Sequence, residues 1–229
     1  MTTVTTRGAA IPALFPEETP FEEAALEAGR LLFARECAFA AGAASAAALP
    51  PDTLPEVAFA GRSNVGKSSL LNALTGRTTL ARVSHTPGRT RQVNFFALAQ
   101  RLMLVDMPGY GYAEAPKAEI QRWSELIRLY LRGRASLRRT CLLIDARHGI
   151  KESDRPLMTM LDEAAVSCQV VLTKADKVRP AELAARLAAI AAELKTHVAC
   201  HPVIHVTSAH TGAGIPELRA ALAALTETR

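Results

Sequence analysis

One stretch of the chain has the residue types and the spacing of a phosphate-binding loop. Residues 61–68 read GRSNVGKS, which matches the pattern G-x-x-x-x-G-K-[ST]. An apolar run at residues 56–60 precedes the match, and a helical pattern follows it over residues 67–75. Main-chain N–H groups of such a loop converge with a helix N-terminus and favour negative charge. The alternative is a glycine-rich turn without a ligand. The predicted phosphate ligands are Gly61, Arg62, Ser63, Asn64, Val65, Gly66, Lys67 and Ser68.

Two side chains of this loop and a downstream aspartate are expected to act on the phosphates and on Mg²⁺. Lys67 would reach the β- and γ-phosphates and assist catalysis, and Ser68 would place its hydroxyl on Mg²⁺. Asp106 ends the apolar run of residues 102–106 and is expected to hold Mg²⁺ indirectly, through water. Gly109 can offer its N–H to the γ-phosphate without an obstructing side chain, which makes it a catalytic candidate. The predicted nucleotide contacts of this segment are Asp106, Met107, Pro108 and Gly109.

The segment TPGRTR at residues 86–91 lies between these two motifs. A loop with Pro and Gly at this place could become ordered when a γ-phosphate is present. Thr90 is the candidate for the hydroxyl that completes the Mg²⁺ shell and takes part in catalysis, and Thr86 is the alternative. An ordinary exposed turn is the other interpretation. The predicted nucleotide contacts here are Gly88, Arg89, Thr90, Arg91 and Gln92.

Two later segments have the composition of a site that selects the base. Asp176, in the sequence Thr173-Lys174-Ala175-Asp176, can accept hydrogen bonds from N1–H and from the exocyclic amine of guanine. Adenine offers neither group in that arrangement, so this carboxylate would reject ATP. The stem of Lys174 could lie over the purine ring. A backbone N–H in Thr207-Ser208-Ala209 could meet guanine O6. Taken alone, the first of these strings is also a common helix start.

Short apolar runs alternate with helical patterns, which predicts an α/β fold with a mostly parallel sheet and helices on both faces. Together with the match to the phosphate-binding loop, this pattern predicts the three-layer P-loop NTPase fold. The close pair at residues 93–98 and 102–106 predicts an antiparallel hairpin at one edge of the sheet. The other predicted strands are residues 56–60, 140–145, 168–173 and 203–207. The predicted helices are residues 67–75, 117–131, 153–165, 180–195 and 215–225.

The N-terminal part is predicted to be a separate extension. Residues 1–20 are rich in Thr and Pro, residues 20–41 have a helical pattern, and a proline cluster at residues 49–55 follows. We therefore expect an extension over residues 1–53, partly flexible with a helix, and a nucleotide-binding domain over residues 54–229. No signal peptide or membrane span is evident, because the most apolar stretch near the N-terminus contains Arg35 and Glu36.

The composition indicates a cytoplasmic protein with a mildly basic surface. The formal net charge of +5 fits an acidic partner such as RNA, or simply a solvated basic face. Cys141 and Cys168 lie in apolar runs, so we expect buried free thiols in a reducing compartment. Arginines on and after the helix of residues 117–131 are candidates for rRNA contacts: Arg122, Arg128, Arg132, Arg134, Arg138 and Arg139.

The motifs GRSNVGKSS, TPGRTR, DMPGYGYA, TKAD and TSA occur in this order. This set resembles the EngB (YihA/YsxC) ribosome-biogenesis GTPases of the TrmE-Era-EngA-EngB-septin-like class, over about residues 54–225. The resemblance implies a bacterial cytoplasmic GTPase, expected to be a monomer, that converts GTP to GDP and phosphate with Mg²⁺. It also implies a role in maturing the large ribosomal subunit and in normal cell division and septation.

One position departs from the Ras-like pattern. Tyr110 stands where a water-orienting Gln would be. Asn64 matches the asparagine that holds K⁺ in related potassium-stimulated GTPases, and K⁺ would supply the charge of an arginine finger. Alternatively, Asn64 only braces the loop. Slow intrinsic hydrolysis is expected. Tyr110 and Tyr112 could stack on RNA or on a protein partner, or pack against the following helix.

The sequence is compatible with two other functions. The chain could be an RNA-binding assembly factor with a nearly structural nucleotide and negligible turnover. It could also be an ATP-using P-loop kinase or ATPase, although Asp176 argues against adenine.

Overall fold

A computed structural model of the chain describes residues 21–77, 80, 92–110 and 117–227. This part of the chain forms a mixed seven-stranded sheet with helices on both of its faces. In chain order the strands are β1 (Cys37–Ala43), β2 (Glu56–Gly61), β3 (Val93–Leu98), β4 (Leu102–Asp106), β5 (Leu137–Asp145), β6 (Cys168–Thr173) and β7 (His205–Val206). The helices are α1 (Glu23–Phe33), α2 (Lys67–Thr75), α3 (Lys117–Gly133), α4 (Arg155–Glu163), α5 (Pro180–Leu194) and α6 (Ile215–Ala223).

The strand order is β1-β3-β4-β2-β5-β6-β7. From β4 to β7 all neighbouring strands are parallel, whereas β3 is antiparallel to both β4 and β1. The predicted fold class and the predicted hairpin are confirmed. The hairpin was wrongly expected at the edge of the sheet, because β1 pairs with the outer side of β3.

The helix predicted over residues 20–41 is wrong in its second half. The helix ends at Phe33, and the segment CAFAAGA forms β1, which pairs with β3 from Cys37 opposite Leu98 to Ala43 opposite Val93. Alanine favours helices, but here the backbone groups of the segment complete the hydrogen bonds along β3, which outweighs that preference. Part of the predicted N-terminal extension therefore belongs to the same sheet.

Helix α1 packs closely on α6, at the other end of the chain. A Cβ atom on Gly29 would lie 2.6 Å from the backbone nitrogen of Ala220, so only glycine allows this approach. Together with α2, these helices cover one face of the sheet, whereas α3, α4 and α5 cover the other. This contact joins the N-terminal helix to the last helix of the fold.

The central strands are covered on both faces, which explains why they read as continuous apolar runs. Every residue of β2, β3, β4 and β6 is buried. In β2, Val57 and Phe59 pack towards α2 and α6, whereas Ala58 and Ala60 pack towards the opposite layer. The strand is thereby held rigidly up to Gly61, where the predicted phosphate loop begins.

One buried ion pair lies at the opposite end of β2. Glu56 accepts hydrogen bonds from Arg134 Nε at 2.9 and 3.0 Å and from the Tyr130 hydroxyl at 2.8 Å. Arg134 also donates to the carbonyl of Pro50 at 2.7 Å. The contacts fix the proline-rich segment before β2 to the end of α3. The Arg134 side chain is only 8% exposed, so its predicted role as an rRNA contact is wrong.

The burial predicted for two of the cysteines is confirmed. Cys141 and Cys168 are buried free thiols, and burial raises the pKa of Cys141 to about 12. Within the described ranges, no helix has the length and apolarity that a membrane span requires.

Candidate nucleotide site

The loop between β2 and α2 is held in place through its carbonyl groups. The Thr173 hydroxyl donates to the Val65 carbonyl at 2.6 Å, and Lys174 Nζ donates to the Asn64 carbonyl at 2.6 Å. The C=O and N–H of one peptide point in opposite directions. The bond to Val65 therefore turns the N–H of Gly66 away from Thr173. The two bonds fix the orientation of two successive peptide groups of the loop.

Helix α2 begins directly after a left-handed residue. Gly66 has φ 106°, a value that glycine adopts without strain, and its carbonyl accepts the first helical bond from Leu70 N at 2.9 Å. The N-terminus of α2 then points into the loop, where its dipole favours negative charge.

Gly109 lies against the phosphate loop from the neighbouring strand. A Cβ atom on this residue would come within 3.1 Å of the backbone of Ser63. The next residue continues the contact, because Ser63 N donates to the Tyr110 carbonyl at 3.0 Å. The segment after β4 is thus held beside the loop, where a side chain in place of Gly109 would require the loop to shift by a few tenths of an ångström.

Lys67 and Asp106 meet at the point where the predicted phosphates and metal would lie. Asp106 is opposite Phe59 in the parallel pair of β4 and β2, so both strands end at the same edge of the sheet. Its carboxylate is 1% exposed and forms an ion pair with the ammonium of Lys67. Ser68 follows in the first turn of α2. A buried carboxylate, a hydroxyl and an ammonium group suit a polyphosphate with a hard cation such as Mg²⁺.

The predicted base-binding residues converge on the other side of the loop. The Ser208 hydroxyl donates to Asp176 Oδ1 at 2.7 Å and accepts from Thr211 N at 3.1 Å. The hydrogen bond from Ser208 lowers the pKa of Asp176, so the carboxylate is ionised at neutral pH. Thr207 is fixed by its bond to the Leu172 carbonyl, which places the loop after β7 beside the loop after β6.

A cavity of about 560 Å³ extends from Gly66 and α2 to the predicted base-binding segments. Its size falls in the range of small-ligand pockets. The residues predicted from the sequence that line it are Gly66, Thr173, Lys174, Asp176, Thr207 and Ala209. Ala175 is buried and does not line the cavity.

The chain is similar to known GTP-binding proteins along most of its length. A family model described as "50S ribosome-binding GTPase" matches residues 56–174. The probable GTP-binding protein EngB of Rhodospirillum rubrum is 60% identical over 223 residues, covering 94% of this chain and 95% of the relative. The probable GTP-binding protein EngB of Granulibacter bethesdensis is 57% identical, covering 93% of this chain and 95% of that protein.

The chain belongs to the EngB family of GTPases. A crystal structure of a probable EngB GTP-binding protein matches with a TM-score of 0.59 and 26% identity, and covers 76% of this chain and all of that chain.

Several predicted site residues of this EngB-family chain are either outside the described part of the structure or have side chains that do not face the site. Thr86, Gly88, Arg89, Thr90, Arg91, Tyr112 and the side chain of Arg122 lie outside the described residues. Gln92 is described, but its amide donates to Asn94 Oδ1 at 3.1 Å and lies over Gly42 of β1. The Met107 side chain packs in the core, so only its backbone could face a nucleotide.

Tyr110 does not present its ring to a partner. The residue is 7% exposed, and its hydroxyl donates to Asp154 Oδ1 at 2.8 Å, directly before α4. Burial, together with the charge of Asp154, raises the pKa of the phenol, so it is a neutral donor. Of the two alternatives for Tyr110, the burial contradicts stacking on RNA and favours packing, because the ring belongs to the core cluster that includes residues of α3 and α4.

The predicted basic cluster is only partly exposed. Arg139 is half-buried and donates to Gln169 at 3.0 Å, and exposed Arg132 pairs with Glu163 at 3.1 Å. Arg128 and Arg138 remain exposed. These two side chains are the described remainder of a surface that could meet phosphate groups.

Sequence reasoning missed two charged residues beside the site. Asp145 ends β5 and forms an ion pair with Lys174, and Asp154 accepts a hydrogen bond from the Tyr110 hydroxyl. The sequence signal that could have found Asp145 is the one that identified Asp106, because β4 and β5 are apolar strands that both end in Asp.

Proposed function

We propose that this chain binds GTP with Mg²⁺, hydrolyses it to GDP and phosphate, and changes conformation with the bound nucleotide. The observation that carries the proposal is the placement of two charged groups close to Gly66, directly before α2. Asp176, ionised and held by Ser208, lines the cavity that reaches Gly66, and the next residue, Lys67, pairs with Asp106. A carboxylate for the guanine edge and an ammonium for the phosphates match the two ends of GTP.

The phosphate loop would bind the phosphates through its main-chain N–H groups and through Lys67. The hydroxyls of Ser68 and Thr90 would hold Mg²⁺, with Asp106 acting through water. When bound, Mg²⁺ neutralises charge on the β- and γ-phosphate oxygens. Gly109 N–H would contact the γ-phosphate, and its closeness to Ser63 supports this assignment.

Hydrolysis requires a group other than Tyr110 to assist the attacking water. The Tyr110 hydroxyl is already engaged by Asp154, which supports a slow intrinsic reaction. We propose that Asn64 helps to hold K⁺ near the phosphates, where a cation would stabilise the charge of the transition state. The Asn64 side chain is exposed on the loop, and its own carbonyl is bound by Lys174. Turnover in KCl and in NaCl tests this role, and equal rates would remove it.

The partner we propose is a precursor of the large ribosomal subunit, in the cytoplasm. The description "50S ribosome-binding GTPase" of the matching family model and the exposed Arg128 and Arg138 support it. The roles in cell division and septation rest on the family resemblance alone.

Phosphate release measured with and without large-subunit precursors tests this function. We expect slow release from GTP, faster release with the precursors, and none from ATP. Co-sedimentation with the precursors should be stronger with a non-hydrolysable GTP analogue than with GDP. If GTP binds but no phosphate is released even with precursors, the chain is an assembly factor with a structural nucleotide. Release from ATP at the GTP rate would contradict the proposed selectivity.

A further inference from the structure

A network of charged groups connects the end of β5 to both halves of the nucleotide site. Lys174 Nζ donates to Asp145 Oδ2 at 2.8 Å and to the Asn64 carbonyl at 2.6 Å. Arg147 grips the same carboxylate from the other side, with Nε at 2.9 Å from Oδ1 and Nη2 at 2.7 Å from Oδ2. The Arg147 backbone N–H adds a bond of 3.0 Å to Oδ1. Asp145 is therefore the junction between an exposed arginine and the lysine of the base-binding segment.

Two residues of this network have a backbone that needs support. Asn64 has φ 63° and Lys174 has φ 59°, the left-handed region that non-glycine residues rarely adopt. Asparagine enters this region more readily than other non-glycine residues, so the conformation is more costly for Lys174, where neighbouring contacts help to hold it. The lysine ammonium binds the Asn64 carbonyl and Asp145 together, which links the two left-handed residues through one side chain.

The stem of Lys174 forms part of the cavity wall. Its Cε lies 3.5 Å from the position of a Cβ atom on Gly66, so the stem crosses beside the phosphate loop. The direction of the stem is set at its far end, where the ammonium is held. Burial alone would raise the pKa of Asp145, but hydrogen bonds from Arg147 and Lys174 lower it instead, so the anchor stays charged.

We propose that Asp145 is a positioning residue for the guanine nucleotide. It anchors the ammonium of Lys174, keeps the lysine stem along the cavity, and so slows nucleotide release. Arg147 braces the carboxylate from the solvent side. The inference rests on the proposed function, because it concerns the same cavity.

The rate at which a fluorescently labelled GDP dissociates from the full chain tests this role. We expect Asp145→Asn to accelerate dissociation by about tenfold or more, because a charge-assisted anchor becomes a neutral one. Asp145→Glu keeps the charge and should restore part of the slow release. Arg147→Ala should give an intermediate acceleration. The control Glu193→Gln removes a charge from the half-exposed pair with Arg155, away from the cavity, and should leave the rate unchanged.

A double-mutant cycle distinguishes positioning through Lys174 from a general loss of structure. If Asp145 acts through the lysine, Asp145→Asn adds little acceleration in a Lys174→Met background. Equal dissociation from wild type and Asp145→Asn, or fully additive effects, would overturn the inference while leaving the proposed function intact. If Asp145→Asn does not fold, Arg147→Ala takes its place in the cycle. An acceleration by Arg147→Ala that disappears in the Lys174→Met background supports the inference, and no acceleration or a fully additive one overturns it. Failure of wild type to bind labelled GDP would overturn both.

Discussion

The hydroxyl of Tyr110 donates a 2.8 Å hydrogen bond to Oδ1 of Asp154, a contact between residues 44 positions apart. Asp154 also accepts from Lys151 N at 2.8 Å, directly before α4. The backbone of Tyr110 meets the phosphate loop, with Tyr110 N donating to the Gly61 carbonyl at 3.3 Å. One residue thus connects the phosphate loop, the segment after Gly109 and the start of α4. A change at the γ-phosphate would have a direct route to that helix.

We expect Tyr110→Phe to lower the free energy of unfolding by about 1–3 kcal/mol, because buried Asp154 loses one of its donors. Urea denaturation measures the change. Tyr130→Phe is a matched variant, since it also removes a buried phenol hydroxyl from a carboxylate, and we expect a cost of the same order. If Tyr110→Phe is as stable as wild type, the hydrogen bond contributes nothing to folding.

The pair of Glu56 and Arg134 should matter far more than an exposed pair. We expect Arg134→Ala to cost about 3–5 kcal/mol, because it leaves a buried carboxylate without its cation. Arg132→Ala, which breaks an exposed pair with Glu163, should cost less than about 1 kcal/mol. Equal costs in chemical denaturation would contradict the assigned burial of Glu56.

His205 should make the fold sensitive to mild acid. Burial, followed by the nearby charges of Arg139 and His201, lowers the pKa of His205 to about 4. An unfolded chain has a histidine pKa of about 6.5, so it takes up the proton first as the pH falls. Stability is therefore lost between about pH 6.5 and pH 4, by about 3 kcal/mol in total, and no further below that range.

Unfolding free energies of wild type and His205→Gln across this range test the assignment. Subtracting the two curves removes the contribution of the carboxylates, and the difference should have the slope of one titrating histidine. At pH 8 the imidazole is neutral in both states, so the difference there reports only packing. A difference that does not change between pH 8 and pH 4 would show that His205 is protonated as easily in the fold as outside it.

Asp176→Asn should change which base is accepted. The amide cannot accept from both guanine donors, so we expect GTP affinity to fall by about 100-fold or more, with xanthosine triphosphate favoured. Competition of GTP, XTP and ATP against labelled GDP measures this. Asp52→Asn changes an exposed aspartate before β2, at the end of that strand opposite to the phosphate loop, and should have no effect. Unchanged GTP affinity in Asp176→Asn would refute the base assignment.

The parts of the fold that could be predicted are those where one local signal decides the outcome. The run ending at Gly61 is apolar because β2 is covered on both faces, and α2 follows where Gly66 allows its first turn. Strand β1 could not be predicted in this way. Its alanines favour a helix, and its strand conformation depends on β3, more than 50 residues later in the chain.

The candidate site also combines features that a local sequence signal predicts with features that depend on distant residues. The positions of Lys67, Asp106 and Asp176 could be predicted because each lies at or shortly after the end of a strand in a recognisable string, whereas their roles toward a nucleotide stay predictions. The anchoring of Lys174 by Asp145 and the burial of Tyr110 depend on pairs that are distant in sequence, and single-sequence patterns do not report such pairs. The role of Thr90 stays a prediction.

Nucleotide binding at the proposed site depends most directly on Lys67, whose ammonium lies beside Asp106. Titration of labelled GTP against wild type and Lys67→Ala is the decisive measurement, with exposed Lys195→Ala as the matched control and circular dichroism to verify folding. We predict that folded Lys67→Ala loses about 100-fold or more in affinity, whereas Lys195→Ala binds like wild type. Equal affinity of Lys67→Ala and wild type would contradict the assignment of this loop to the phosphates.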